Sequence, residues 1–85
     1  MKEFKYVIRD AMGIHARPAG LLVKEASEYR STVMVLSGSR AADAKRIMSI
    51  MSLGVKHGTE VTVVIEGEDE DAALEGMKAF FQKNL

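Results

Sequence analysis

The sequence predicts an α+β fold: an antiparallel sheet with helices packed on one face. Three observations carry this. Period-two alternation marks strands at the start and near the end of the chain. Apolar residues recur at helical spacing in the stretches between and after them. The elements then fall in the order β-α-β-β-α-β-α, for which a sheet with one covered face is the natural packing.

The first strand is read from Phe4, Tyr6 and Ile8, which alternate with Glu3, Lys5 and Val7. Asp10 to Gly13 is a loop. Ala19, Leu22, Val23 and Ala26 lie at i, i+3, i+4 and i+7, so Ala16 to about Tyr29 reads as an amphipathic helix. Pro18 is tolerated only in a first turn, which places the helix start beside His15. Gly20 inside this helix costs about 1 kcal/mol against alanine. It is either a point of close approach or a tolerated defect.

Thr32 to Leu36 is rich in β-branched residues and reads as a second strand. Ser37-Gly38-Ser39 turns the chain, and Arg40 to Ala42 returns as a short strand. Asp43 is the expected cap of a short helix containing Ile47, Met48, Ile50, Met51 and Leu53, ended by Gly54. Thr59 to Glu66 alternates as a strand. Glu68 to Asp71 opens the last helix, with Leu74, Met77, Phe81 and Leu85 as its buried stripe and Phe80 beside it.

Bulk properties narrow the function classes. The 85 residues suit one small domain, spanning 1–85, with a modest core. Twelve acidic residues balance twelve basic ones, so no global field favours nucleic acid or an anionic membrane. No stretch has transmembrane length and no signal-peptide core opens the chain. A soluble cytoplasmic domain is expected. The absence of cysteine excludes disulfides and thiolate zinc sites, and the two histidines lack a third ligand at metal spacing, so no metal is expected. His57, in a Lys-His-Gly turn, reads as an exposed loop residue without chemistry.

The chemistry concentrates in Gly13-Ile14-His15-Ala16-Arg17-Pro18-Ala19. A helix start leaves backbone N–H groups unpaired, and the dipole adds positive potential, so an anion is favoured there. His15 is placed to take a phosphoryl group on a ring nitrogen. The Ala16 and Arg17 end of the helix would bind the phosphate, with Arg17 adding a rigid fork of donors. The plain alternatives are a surface histidine or a helix cap. The apolar set Ile47, Met48, Ile50, Met51 and Leu53 cannot all face inward from one short helix. Either part of it stays exposed as a patch, or the helix is wedged into the core.

These residues resemble the HPr family, the histidine-containing phosphocarriers of the bacterial phosphoenolpyruvate-dependent sugar phosphotransferase system. The first motif is the Gly13–Ala19 run. The second is Lys45, then Ile47-Met48, then Ile50-Met51-Ser52-Leu53-Gly54-Val55. The resemblance covers essentially the whole chain. It implies an open-faced β-sandwich: a four-stranded antiparallel sheet covered on one face by three helices. It implies that His15 accepts phosphate on Nδ1 from phosphorylated enzyme I and passes it to sugar-specific IIA components, with Arg17 steadying the group. The chain would then be a monomeric carrier, not an enzyme, and needs no cofactor. Ile47, Met48 and Met51, with Gly20 and Lys24, would form the surface that docks successive partners.

The chain departs from the family in two places. Many relatives carry a kinase-regulated serine after the motif lysine, and here that position is Arg46. Arginine accepts no phosphate, so serine-type regulation is expected to be absent, and Ser49 and Ser52 read as helix-surface or packing residues. Met12 stands where relatives often have a small polar residue, which removes a hydroxyl from the loop. Two other readings remain at this point. One is an HPr-like regulatory or specialised paralogue acting by protein–protein binding; regulators that lack the histidine and depend on the serine differ from this chain at both positions. The other is a small-ligand domain that binds a free anion at the helix start.

Overall fold

Alternation of β-branched and polar residues builds the sheet, and the helices follow from where its apolar face must be covered. A computed structural model describes residues 1–85. The elements are β1 (Lys2–Val7), α1 (Ala16–Ala26), β2 (Thr32–Ser37), β3 (Arg40–Asp43), α2 (Ile47–Ser52), β4 (Glu60–Glu66) and α3 (Glu70–Asn84). The strands form one sheet in the order β1-β4-β2-β3, every neighbour antiparallel. β4, the last strand in the chain, is threaded between the first two.

The register sets the two faces. Val63 lies opposite Phe4 on one side and Val35 on the other, Val61 opposite Tyr6, and Ile65 opposite Val33. Val33, Val35, Val61, Val63 and Ile65 are all fully buried under the helices. Glu3, Lys5 and Val7 of β1 point the other way and are exposed. The sheet therefore has one dry face and one open face.

Three helices cover the dry face. α1 buries Pro18, Ala19, Leu22 and Ala26, α2 buries Ile50, and α3 buries Ala73, Met77, Phe80 and Phe81. Phe81 is the pivot of the core. Its ring meets Phe4, Tyr6 and Phe80 edge-on, with centroids at 5.6, 5.5 and 6.1 Å.

Four local expectations are corrected. α1 ends at Ala26, three residues before Tyr29, because the chain tightens there: Glu28 and Tyr29 donate to carbonyls three residues back. The Tyr29 hydroxyl then donates to Glu25 at 2.8 Å and lies over Gly76 of α3, where any Cβ would strike it. Burial, with the Glu25 hydrogen bond second, pushes the Tyr29 pKa up to about 12.

Asp43 does not cap α2. It closes β3, and its carboxylate accepts the Lys45 N–H at 2.9 Å, so Arg46 is the N-cap residue without a side-chain hydrogen bond. Lys45 in turn donates from Nζ to the Tyr29 carbonyl at 2.8 Å. Leu74 is only half-buried, and Ala73 takes its place in the buried stripe. α3 starts at Glu70, and Asp69, its N-cap residue, makes no side-chain capping bond. The Asp69 carboxylate accepts the N–H groups of Arg30 and Ser31 at 2.9 Å and the Ser31 hydroxyl at 2.5 Å. Ser31 is the one buried polar residue, and this contact satisfies it.

Candidate functional site

The segment between β1 and α1 is held from three sides. Arg9 and Asp10 both donate their N–H to the Leu85 carbonyl oxygen, at 2.6 and 2.9 Å. The Arg9 guanidinium reaches the Tyr6 hydroxyl at 3.0 Å and the Gln82 carbonyl at 2.8 Å. His57, an exposed turn residue, places Nδ1 3.2 Å from the Arg9 carbonyl. Gly13 N–H then closes a turn onto the Asp10 carbonyl at 3.0 Å, and Ile14 N–H bonds Val55 at 3.1 Å. Gly13 adopts φ +70°, and a Cβ there would lie 2.7 Å from the Lys56 Cα. Both the left-handed backbone and the close approach require glycine.

This scaffold delivers His15 to the N-cap of α1, with φ −98° and ψ −175°. Its side chain makes no capping bond. Its carbonyl accepts from Ala19 N–H at 2.9 Å, which starts the helical ladder. Pro18 has no N–H to leave unpaired. The orphan donors of this helix start are therefore the N–H groups of His15, Ala16 and Arg17.

A hollow of about 280 Å³ opens at this point, lined by Asp10, His15, Arg17, Pro18, Leu21 and Asn84. Arg17 is exposed and joins none of the protein's ion pairs. His15 Nε2 lies 3.5 Å from Asp10 Oδ1, with the two side chains 34% and 27% exposed. An anion seated in the hollow would meet the free Arg17 guanidinium and the His15 imidazole, and would also face the Asp10 carboxylate.

The structure brings His15 and Arg17 to the hollow, while Ala16, exposed at the first position of α1, does not line it. Sequence reasoning missed Asp10, Leu21 and Asn84. Asp10 carried a signal, because Asp-x-x-Gly is a turn signature. Leu21 lies off the buried stripe of α1, and Asn84 arrives from the far end of the chain. Met12 is 72% exposed and does not line the hollow.

The proposed docking residues split between two surfaces. Met48 is 75% exposed, and Ile47 and Met51 are each 41% exposed. Gly20 faces Ile47 across the α1–α2 seam. Lys24, one turn further along α1, lines a shallow groove toward α3 with Glu28 and Lys83.

Fold and site together define a class: a small open-faced sandwich with an imidazole and a free guanidinium beside a helix start. The comparisons make it particular. A family model described as the PTS HPr component phosphorylation site matches residues 2–83. The phosphocarrier protein HPr of Mycoplasma genitalium is 42% identical over 85 residues, covering 99% of this chain and 97% of that protein. The HPr-like protein Crh of Bacillus subtilis is also 42% identical, over the full length of both chains. Among solved structures, a mycoplasma histidine-containing phosphocarrier protein superposes with a TM-score of 0.93 at 35% identity, covering 96% of this chain and 93% of that one. The chain belongs to the HPr family, the phosphocarriers of the phosphotransferase system.

Proposed function

We propose that His15 is the phosphoryl acceptor of this carrier. It takes the group from phosphorylated enzyme I onto Nδ1 and hands it to sugar-specific IIA components. The observation that carries this reading is the meeting of an uncapped imidazole and the free Arg17 guanidinium on one hollow, at a helix start whose first N–H groups are unpaired. In the carrier reading, the Ala16 and Arg17 amides and the Arg17 fork bear the phosphoryl charge. Positioning and charge stabilisation do most of the work of each step, and the partner supplies part of both. The chain turns over as a co-substrate and transfers nothing alone.

Docking uses the exposed side chains of Ile47, Met48 and Met51 beside Gly20, and Lys24 contributes from the adjoining groove between α1 and α3. Methionine suits a surface that repacks against several partners. A carrier that shows one face to each partner in turn works as a monomer, residues 1–85 acting as one domain in the cytoplasm. No helix of the chain is long and apolar enough to cross a membrane. With Arg46 at the regulatory position, serine-type regulation at that position is absent.

The test is incubation with phosphoenolpyruvate and a bacterial enzyme I, followed by intact-mass spectrometry, beside a His15→Ala control. One acid-labile phosphoryl adduct, absent from the control, supports the reading. No adduct with several competent enzyme I proteins removes it. The equal likeness to Crh favours a second reading, a paralogue acting by protein binding; in that case pull-down recovers a partner while the adduct never forms.

A further inference from the structure

We propose that Asp10 is a positioning residue for the phosphoryl relay, holding the proton of His15 on Nε2 while the other ring nitrogen takes and releases the phosphoryl group. This rests on His15 being the acceptor. The geometry is specific to the loop that precedes α1. Asp10 Oδ1 lies 3.5 Å from His15 Nε2 and is the only carboxylate lining the hollow. The other polar groups lining it are Arg17 from α1 and the uncharged Asn84 from α3.

Asp10 is itself anchored three times. Its carboxylate accepts the Met12 N–H at 2.8 Å, its carbonyl accepts the Gly13 N–H at 3.0 Å, and its own N–H reaches the Leu85 carbonyl at 2.9 Å. At 3.5 Å the carboxylate is beyond an ordinary hydrogen bond, but a negative charge so fixed favours the ring tautomer that keeps its proton on the nearer nitrogen, Nε2. The Nε2–H form leaves a lone pair on Nδ1, the nitrogen a nucleophile requires.

The same contact acts on release. The acceptor's lone pair attacks phosphorus, the P–Nδ1 bond breaks, and its electron pair returns to Nδ1. With the proton retained on Nε2, the leaving group is neutral imidazole. Without that proton it is an imidazolate, a far poorer leaving group. A carboxylate facing Nε2 therefore speeds departure as well as orienting the ring.

The experiment compares the full chain with Asp10→Asn and Asp10→Ala after phosphorylation by phosphoenolpyruvate and enzyme I. Asparagine keeps an oxygen for the Met12 N–H, so the turn persists while the charge goes. Parent and Asp10→Asn should both take up one phosphoryl group. The phosphorylated Asp10→Asn chain should hydrolyse on the order of tenfold more slowly near neutral pH, and transfer to a IIA component more slowly by a similar factor. A loop that was merely loosened would lose its phosphoryl group faster, the opposite direction. Long-range nitrogen–proton spectra of the unphosphorylated chains should show the Nε2–H tautomer in the parent and a mixture in Asp10→Ala.

Unchanged lifetime and transfer in Asp10→Asn, or a shortened lifetime, overturns the proposal while leaving His15 as the acceptor. A parent that takes up no phosphoryl group overturns the acceptor reading and this proposal with it.

Discussion

Gly20 of α1 faces Ile47 of α2 with room to spare: a Cβ built on the glycine would stop 3.8 Å from the Ile47 Cδ1, an ordinary contact. The fold does not need glycine there. Gly20→Ala should raise stability by up to about 1 kcal/mol through helix propensity, which thermal unfolding would read. If partners dock against this seam, the same substitution slows transfer from enzyme I. A stabilised variant with unchanged transfer would remove Gly20 from the docking surface.

Gly13 stands at the opposite extreme. Its φ of +70° and the Lys56 Cα at 2.7 Å from an added Cβ leave no space for a side chain. Gly13→Ala should cost about 2 kcal/mol or more, since it combines left-handed strain with a displaced 55–56 segment. It should also move His15 out of register with the Ala16 and Arg17 amides. Denaturant unfolding together with phosphorylation stoichiometry tests both parts, and a wild-type midpoint would contradict the clash.

Met48 is 75% exposed, so Met48→Asp should leave stability within about 0.5 kcal/mol of the parent. A charge placed in the centre of an apolar docking patch should slow transfer from enzyme I by about tenfold or more. Normal transfer kinetics in a folded Met48→Asp chain would count against the patch.

Asp69 makes the stability of this chain sensitive to acid. The Ser31 hydroxyl first, and then the Arg30 N–H, lower its pKa from 3.8 to about 2. The unfolded chain then binds the proton more readily than the folded one. The contribution is complete above the unfolded value and is lost as pH falls through the folded value. Between 3.8 and about 2 the parent should therefore lose this contribution. Asp69→Asn should be less stable at neutral pH and flatter across that window in urea titrations at stepped pH. An unchanged acid limb in the variant would show that other groups govern it.

Much of this architecture was legible in the residues. Val61, Val63 and Ile65 alternate with Thr62 and Val64, and a strand with one buried face follows from that pattern alone. Pro18 located the start of α1, because few other positions tolerate it. The placement of His15 and Arg17 was legible for the same reason: it depends on a helix start that the chain declares locally. Asp43 misled because a short acidic residue serves a cap and a turn equally well. Only its distance from Lys45, set by the exit of β3, decided for the turn.

By itself the sequence determined the elements and their order, since periods of 2.0 and 3.6 are properties of neighbouring residues. It also determined that imidazole, guanidinium and unpaired amides would share one helix start. Only the tertiary structure decided that β4 lies between β1 and β2, that Asn84 closes the hollow from the far end of the chain, and that Asp10 stands 3.5 Å from His15. Those relations depend on the Phe81 core and on the anchoring of residues 9–14 to Gln82, Leu85 and Val55. Packing against distant parts of the chain sets such distances, and local pattern carries no record of them.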